Sequence, residues 1–184
     1  MTKLQKALNA FGQGFFIFLI CAVIGWIYEE FCDVVVMGTG WYNRGFLWGP
    51  YLPIYGTLGL AMWLLFGRLS QKKLRLHGIN VMPVLLFFLT ALVSTAAELV
   101  TSYLLEWLIG HSLWNYSFYR LHFEGRIAVV PSLLFGLLGV LSLYLLIPGI
   151  LKLYARLPKP LRLFLVYGGF LMMLIDLIIR LTHL

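Results

Sequence analysis

Long runs of apolar side chains, separated by short segments rich in basic residues, constrain this chain more than any other feature. Hydrophobic residues make up 61% of its 184 residues and charged residues only 11%, whereas an ordinary soluble domain carries about 25% charge. About 20 apolar residues in a helix cross the roughly 30 Å hydrocarbon layer of a membrane. The sequence therefore predicts a single all-α domain, a polytopic transmembrane helix bundle. The predicted spans are 11–37, 51–66, 81–109, 127–154 and 161–181.

Basic residues at the ends of the spans predict the orientation. If the N-terminus lies inside, the inner segments hold most of the lysines and arginines, as the positive-inside rule requires. Five spans then place the C-terminus outside. The inner basic residues are Lys3, Lys6, Arg68, Lys72, Lys73, Arg75, Lys152, Arg156, Lys159 and Arg162, and the outer ones are Arg44, Arg120, Arg126 and Arg180.

The segment 41–56 interrupts the apolar pattern between the first two spans. Its three glycines after residue 44 and its two prolines exclude a regular helix, although most of its other residues are apolar or aromatic. Non-helical backbone at membrane depth is tolerated only where protein buries it or where it lines a cavity. We therefore predict that this Gly/Pro/aromatic segment is non-helical and forms the wall of the functional site.

The acidic residues are all predicted in the outer half of the bundle. Asp and Glu hardly influence membrane insertion, so their restriction to the outer half needs another cause. Ionisable groups within a membrane are costly and usually face a bundle interior or a cavity, which makes them candidates for a functional site. The seven acids are Glu29, Glu30, Asp33, Glu98, Glu106, Glu124 and Asp176.

Helical spacing groups several of these acids into polar stripes. The first span carries a stripe of Trp26, Glu29 or Glu30, and Asp33, in which Glu29 is the preferred inward member and Glu30 is expected to point elsewhere. Asp176 and Arg180, four residues apart, could neutralise each other. The stripe predicted on the third span consists of Thr95, Glu98, Ser102 and Glu106.

The two halves of the chain share a faint internal similarity. Each has a span that leads into Gly and Trp, then an arginine beside a glycine, then a proline. Such an order would fit an ancient duplication that gives two hairpins with similar outer loops.

Several blocks of the sequence resemble one known family. Gly25–Glu29, Asn43–Gly56, Glu98–Ser102 and Gly125–Ile127, together with Trp114–Ser117, resemble the signature of the bacterial ABC-transporter permeases of the CmpB type. Asn115 departs from the acidic residue that the family usually has there. The resemblance implies a small multi-pass protein of the bacterial inner (cytoplasmic) membrane with a polar site near its outer face. It carries over no substrate or mechanism.

The candidate residues allow two interpretations. Arg44 and Arg126 could grip an anionic group, since guanidinium binds phosphate or carboxylate bidentately, or they could pair with nearby acids. Glu29 and Glu98 could form a proton or cation site, or they could form ion pairs with the two arginines. Trp41 and Trp114 are expected at the rim of the pocket. The predicted substrate, proton or cation site consists of Glu29, Asn43, Arg44, Glu98, Glu106, Trp114, Tyr116 and Arg126.

Other classes of chemistry lack a motif in this sequence. His111 and His122 do not have the spacing of a zinc site, so no metal and no other cofactor is expected. The basic residues accompany no nucleic-acid-binding motif. There is no phosphate-binding loop, so ATP-driven transport would need a separate ATP-binding subunit. A homo-oligomer is a further expected partnership.

Three functions remain open from the sequence. The preferred one is a transport-type membrane protein, a permease or substrate-binding subunit, with an outward-facing polar pocket for a small solute. The alternative is a membrane enzyme that acts on a lipid or cell-envelope precursor at the outer leaflet, with a glutamate as general base. The lack of a nucleophile motif makes an enzyme the less favoured reading. A third possibility is a structural or assembly partner in a membrane complex.

Overall fold

A computed structural model describes residues 2–41, 43 and 45–183 of the protein. It confirms the helical bundle. Among the described residues, four helices are long and apolar enough to cross a membrane: Lys3–Met37, Met82–Ile109, Val129–Arg156 and Lys159–Thr182. The span predicted at 51–66 corresponds to a shorter apolar helix, Pro53–Phe66, of 14 residues. At 1.5 Å per residue it measures about 21 Å, so it is shorter than the hydrocarbon layer.

The described residues form seven α-helices, which we number in chain order, and four two-residue strands. Three π-helical turns interrupt or extend the helices: Cys32–Met37 after α1, Ser142–Leu146 between α4 and α5, and Phe164–Gly168 between α6 and α7. The helices are α1 (Lys3–Phe31), α2 (Pro53–Phe66), α3 (Met82–Ile109), α4 (Val129–Leu141), α5 (Ile147–Arg156), α6 (Lys159–Leu163) and α7 (Gly169–Thr182); the strands are β1 (Arg75–Leu76), β2 (Ile79–Asn80), β3 (His122–Phe123) and β4 (Ile127–Ala128).

Local sequence explains several of the helix ends. Thr2 and Gln5 form a capping box at the start of α1, in which each side chain accepts a hydrogen bond from the other residue's backbone N–H. The π-helical turn after α1 stops at Gly38, and α3 stops at Gly110; both glycines have the left-handed conformation that commonly ends helices.

Proline and glycine often kink or end a helix, but at Pro148 and Gly149 the fourth span continues as a helix to Arg156. A π-helical turn at Ser142–Leu146 lies directly before them. Pro148 has no N–H to donate to the preceding turn. This missing hydrogen bond is a local cause for the change from α-helical to π-helical hydrogen bonding just before it.

The chain divides into two compact units, Met1–Leu60 with Pro148–Leu184, and Ala61–Ile147. In the first unit the segment before α2 packs into a core that α1 and α7 share. Leu52 N–H donates to Ala22 O of α1 at 3.0 Å, and Leu47 and Tyr51 are buried beside Met173 of α7. The prediction of a non-helical segment between the first two spans is confirmed for its described residues from Gly45 to Leu52, which lie outside the helices and are partly buried by protein. The predicted segment extended to residue 56, but its last four residues belong to α2, because proline is well tolerated at the first position of a helix.

In the second unit α3 packs on α4 through small residues. Glycines of α4 at positions 136 and 139 lie against α3, the second of them against Thr90. The buried face of α3 repeats every four residues: Met82, Leu86, Thr90, Ser94, Glu98 and Ser102. The polar part of this face therefore includes Thr90 and Ser94, whereas the predicted stripe began at Thr95.

Two short antiparallel hairpins form the connections of the second unit. The basic connection before α3 contains β1 and β2, with Arg75 opposite Asn80. The connection after α3 contains β3 and β4, with Phe123 opposite Ile127. Glu124 and Gly125 at its tip both have positive φ, 52° and 69°. The described residues from Gly45 to Leu52 in the first unit contain no strand, so this part of the first outer loop differs from the hairpin of the second unit.

Candidate functional site

In the first unit, a carboxylate of α7 holds the segment that precedes α2. Asp176 Oδ1 accepts a hydrogen bond from Trp48 N–H at 3.2 Å, and its Oδ2 accepts one from Gly49 N–H at 2.9 Å. The Tyr51 hydroxyl donates to the same Oδ2. We call Trp48, Gly49, Tyr51 and Asp176 the Asp176 cluster. It explains how a non-helical segment can be buried, because a side chain satisfies two of its backbone N–H groups.

Asp176 and Arg180 could neutralise each other, according to their spacing in the sequence. The charge of Arg180 does act on the Asp176 carboxylate, but the direct ion pairs between described residues do not include these two residues. The guanidinium of Arg180 instead lies over aromatic rings, with its central carbon 5.5 Å from the ring centre of Phe46 and 5.6 Å from that of Trp48. Spacing along one helix favoured the pair, but the carboxylate makes its hydrogen bonds to a segment more than 120 residues away in sequence.

Two predicted site residues of the first unit also bind this region. Asn43 Oδ1 accepts a hydrogen bond from Trp26 Nε1 at 2.7 Å, and Asn43 Nδ2 donates to Trp48 O at 3.0 Å. Glu29 accepts a hydrogen bond from the Tyr55 hydroxyl of α2. The third predicted residue, Arg44, lies outside the described residues.

The acids of the first span do not divide as expected. Glu30 was expected to point away from the interior, but it is 3% exposed, and Asp33 is 1% exposed. Glu30 lies before the π-helical turn that begins at Cys32, and a spacing of three residues places it on the same helical face as the buried Asp33. Glu30 is therefore the more buried of the two glutamates that the stripe allowed.

In the second unit, Arg126 anchors the outer hairpin to α3. Its Nη1 donates to Ser102 Oγ at 2.9 Å, its Nη2 donates to Glu106, and its Nε donates to Glu124 Oε2 at 3.3 Å. The guanidinium carbon also lies 4.1 Å from the ring centre of Tyr103. We call Ser102, Tyr103, Glu106, Glu124 and Arg126 the Arg126 cluster. The hydrogen bond to Glu106 raises the pKa of Arg126 above its ordinary value, so the guanidinium stays charged.

Glu98 contacts a different part of the outer connection. Its Oε1 accepts a hydrogen bond from the Tyr116 hydroxyl at 2.8 Å, and the residue is only 4% exposed. Tyr116 N–H in turn donates to Gly125 O at 2.7 Å. An ion pair between Glu98 and Arg126 was one expectation, but the ion pairs of Arg126 are with Glu106 and Glu124.

Trp114 was expected at the rim of a pocket, but its ring supports the hairpin. Its Nε1 donates to Arg126 O at 2.9 Å. Asn115 has a comparable local role, because its Oδ1 accepts from Ser117 N–H at 2.9 Å. Five predicted site residues therefore take part in the contacts between α3, the connection around Tyr116 and the outer hairpin. They are Glu98, Glu106, Trp114, Tyr116 and Arg126.

The second unit also has an open, mainly apolar groove beside the hairpin. Its volume is about 350 Å³, and its lining residues are Phe118, Tyr119, Arg120, Leu121, Val129 and Val130. None of these belongs to the predicted site. Among the described residues, no group of three or more His, Cys, Asp or Glu side chains could hold a metal ion.

The profile of a family described as "Putative ABC-transporter type IV", of the CmpB type, matches residues 16–181. The match covers nearly the whole chain and includes both clusters. The chain belongs to this family. No curated protein and no solved structure shows significant similarity to it.

Membership of this ABC-transporter family confirms the resemblance that the sequence blocks indicated. Together with four helices able to cross a membrane, it identifies a multi-pass membrane protein of the transport type. The family match alone assigns no role to a residue, so the predicted site remains a prediction.

Sequence reasoning missed several polar residues that take part in the contacts described above or lie on the buried face of α3. Tyr51 and Tyr55 carry hydroxyls that bind Asp176 and Glu29, but they were counted only as aromatic residues. Ser94 and Thr90 were missed because the stripe on α3 was counted from Thr95. The recurrence of polar residues every fourth position from 90 to 106 was the signal that could have identified them.

Proposed function

We propose that this protein is the membrane-embedded permease or substrate-binding subunit of a bacterial inner-membrane transporter, with an outward-facing polar pocket for a small solute. The positive-inside rule supports an N-terminus inside and both polar clusters near the outer face. A separate subunit supplies ATP hydrolysis, since the sequence has no phosphate-binding loop. Within the second unit, the residues proposed to bind the solute are Glu98, Glu106, Trp114, Tyr116 and Arg126.

The observation that carries this proposal is the burial of Glu98 within a long apolar helix. A carboxylate in a membrane span is costly and usually serves an ion or substrate path. Glu98 is 4% exposed, and its hydrogen-bond donor Tyr116 belongs to the outer connection. The ion pairs of Arg126 go to other carboxylates, so pairing with this arginine does not account for the presence of Glu98.

Ligand-dependent thermal stability tests the proposal. Wild type, Glu98→Gln and the control Glu124→Gln are purified in detergent and melted with a library of small cations, amino acids, vitamins and lipid head groups. A compound that binds only the folded state at 100 times its Kd stabilises that state by about 2.7 kcal/mol. We expect a shift in wild type and Glu124→Gln that Glu98→Gln loses, because glutamine retains an acceptor for Tyr116 but lacks the charge. Equal shifts in all three proteins would exclude Glu98 from the site.

A structural or assembly role is the second candidate, and the Arg126 cluster favours it. Three nitrogens of Arg126 bind three side chains of the same unit, which is the arrangement expected of an anchor. Under this reading no compound in the library shifts any of the proteins, and Glu98→Gln is itself markedly less stable than wild type.

A further inference from the structure

We propose that the segment Trp48–Tyr51 is a binding site for a small carboxylate, and that Asp176 of the same chain occupies it as an internal ligand. This site goes beyond the proposed function, because neither Glu98 nor the movement of a solute is part of it. Its donors all belong to the first unit.

The backbone supplies the recognition. Successive N–H groups that converge on one point form a concave anion site, often called a nest, and such nests capture carboxylates. Here the N–H groups of Trp48 and Gly49 bind the two different oxygens of one carboxylate, at 3.2 and 2.9 Å. This two-pronged arrangement matches the planar shape of a carboxylate.

Side chains complete the site. The Tyr51 hydroxyl donates to the carboxylate from a side chain that is only 2% exposed. A Cβ at Gly49 would overlap the Tyr51 ring, so only glycine allows the backbone and this hydroxyl to converge. The close contact between Gly49 and the Tyr51 ring restricts the movement of these donors, which reduces the entropy cost of binding.

A cation lies beside the nest. Arg180 follows Asp176 by one turn of α7, and its guanidinium lies over the rings of Phe46 and Trp48. Among the described residues, its buried Nε has no hydrogen-bond partner. The aromatic rings thus hold the guanidinium of Arg180 next to the nest. Its positive charge favours an anionic occupant, and its Nε is a further hydrogen-bond donor that an occupant could use.

Occupation by Asp176 predicts how the site responds to a free carboxylate. An internal ligand competes with a free ligand at a high effective concentration. Only molecules whose site is vacant can bind the free ligand, so its apparent affinity is lower when the vacant fraction is smaller. Wild type should therefore bind a free carboxylate weakly. Asp176→Ser, which removes the carboxylate and leaves space, should bind it at least about tenfold more tightly.

The test uses acetate as the probe. Wild type, Asp176→Ser and Asp176→Asn are purified in detergent, and melting temperature is measured against acetate at constant ionic strength, with chloride as the balancing anion. Hydrogen exchange of the peptide containing Trp48 and Gly49 is followed in parallel. We expect Asp176→Ser to lose protection of these amides, and acetate to restore both the protection and the melting temperature. Asp176→Asn, with a neutral acceptor of similar size, should show a smaller response in the same direction and provides the readout if Asp176→Ser does not fold.

Three controls make the result specific to the nest. Acetamide, a neutral analogue of acetate, should have no effect, and Asp176→Ser combined with Tyr51→Phe or with Arg180→Gln should bind acetate more weakly. Glu29→Gln, whose carboxylate binds only a tyrosine hydroxyl in the described contacts, should not gain acetate binding. The proposal is overturned if acetate acts equally on wild type and both Asp176 variants, or no better than acetamide. Either result would leave the proposed function untouched, since Glu98 is unchanged throughout.

Discussion

Arg126 illustrates how one side chain can organise an outer connection. It is the last residue of the hairpin loop, yet its guanidinium reaches two positions on α3 and one on the hairpin itself. A planar guanidinium can donate in several fixed directions at once, whereas the lysine ammonium is a compact point charge. A positive charge alone is therefore not expected to anchor the hairpin to α3 as Arg126 does.

Arg126→Lys should loosen the hairpin. Lysine keeps the positive charge but cannot bind Ser102, Glu106 and Glu124 together, so we expect faster amide exchange across residues 122–128 and a lower melting temperature. Hydrogen exchange with mass spectrometry measures the effect. Arg120→Lys is the matched control, because Arg120 is exposed and lines the open groove. Equal effects of the two substitutions would contradict an anchoring role for Arg126.

Thr90 offers a test of a buried polar contact between helices. Its Oγ1 donates to Gly136 O of α4 at 3.1 Å, and the residue is 0% exposed. Thr90→Val keeps the shape but removes the donor, which should cost about 1 kcal/mol of unfolding free energy, as single interhelical hydrogen bonds in membranes do. Denaturant unfolding in detergent measures it.

Thr95→Val is the control for this substitution. Among the described residues, the buried Thr95 Oγ1 has no hydrogen-bond partner, so replacing its hydroxyl by a methyl group should leave stability unchanged or raise it slightly. A loss of stability as large as that of Thr90→Val would mean that the interhelical bond is not the cause.

These residues also show how far sequence reasoning reaches. Glu98, Glu106 and Arg126 could be found because charged groups stand out in apolar segments and must have a reason to be there. The role of Asp176 could not be found, because its donors are two backbone N–H groups and one tyrosine hydroxyl more than 120 residues earlier. Backbone donors have no signature in side-chain identity, and spacing along α7 pointed to Arg180 instead.

Close packing of α3 on α4 depends on small residues at the contact. A Cβ at Gly136 would lie 2.9 Å from Phe87 O and 3.0 Å from Ala91 Cβ. Without a hydrophobic driving force between helices in lipid, van der Waals contact of this kind contributes much of the association. The glycine therefore has a packing role that outweighs its cost to helix propensity.

Gly136→Ala should destabilise the protein, because backbone lies in the way of the added methyl group and α4 must move. Overpacking of this kind typically costs about 1–3 kcal/mol. Gly149→Ala is the matched control, since nothing lies within 4 Å of a Cβ there and alanine is favoured over glycine in a helix by about 1 kcal/mol. We expect it to be neutral or stabilising. Thermal unfolding of the two variants, measured side by side, tests this prediction. If Gly136→Ala were as stable as wild type, α3 and α4 would be less tightly packed than these distances indicate.

The elements themselves were predicted unequally well from the sequence. Long apolar runs predicted the membrane helices because length and composition are sufficient there. The two hairpins were missed, since each strand has only two residues and leaves no alternating pattern. The non-helical segment before α2 was recognised from its glycines and prolines, but its hydrogen bonds to α7 depend on tertiary contacts.

The orientation of the whole protein in the membrane is open to a direct test. Five crossings with the N-terminus inside place the basic connection around residue 72 in the cytoplasm, and the hairpin around residue 122 and the C-terminus outside. Single cysteines at these positions, in a background in which Cys21 and Cys32 are replaced by serine, can be labelled in intact cells with a reagent that does not cross membranes. We expect labelling at the two outer positions and none at residue 72. Labelling only at residue 72 would contradict this topology, because it results either from five crossings in the opposite direction or from an α2 that does not cross. A further cysteine at Thr2 separates the two cases: it is labelled in the first and stays unlabelled in the second.

The bonds to Asp176 also impose an order on biosynthesis. Trp48 is made 128 residues before its partner, which at about 5–20 residues per second means a delay of about 6–26 s. During that time Trp48 and Gly49 have been translated, but the carboxylate that binds their N–H groups has not yet been made. The nascent chain must meanwhile satisfy these groups with water, another part of the protein or a chaperone. The contact can therefore form only after the last helix has been synthesised, so its formation is a late step in the assembly of the first unit.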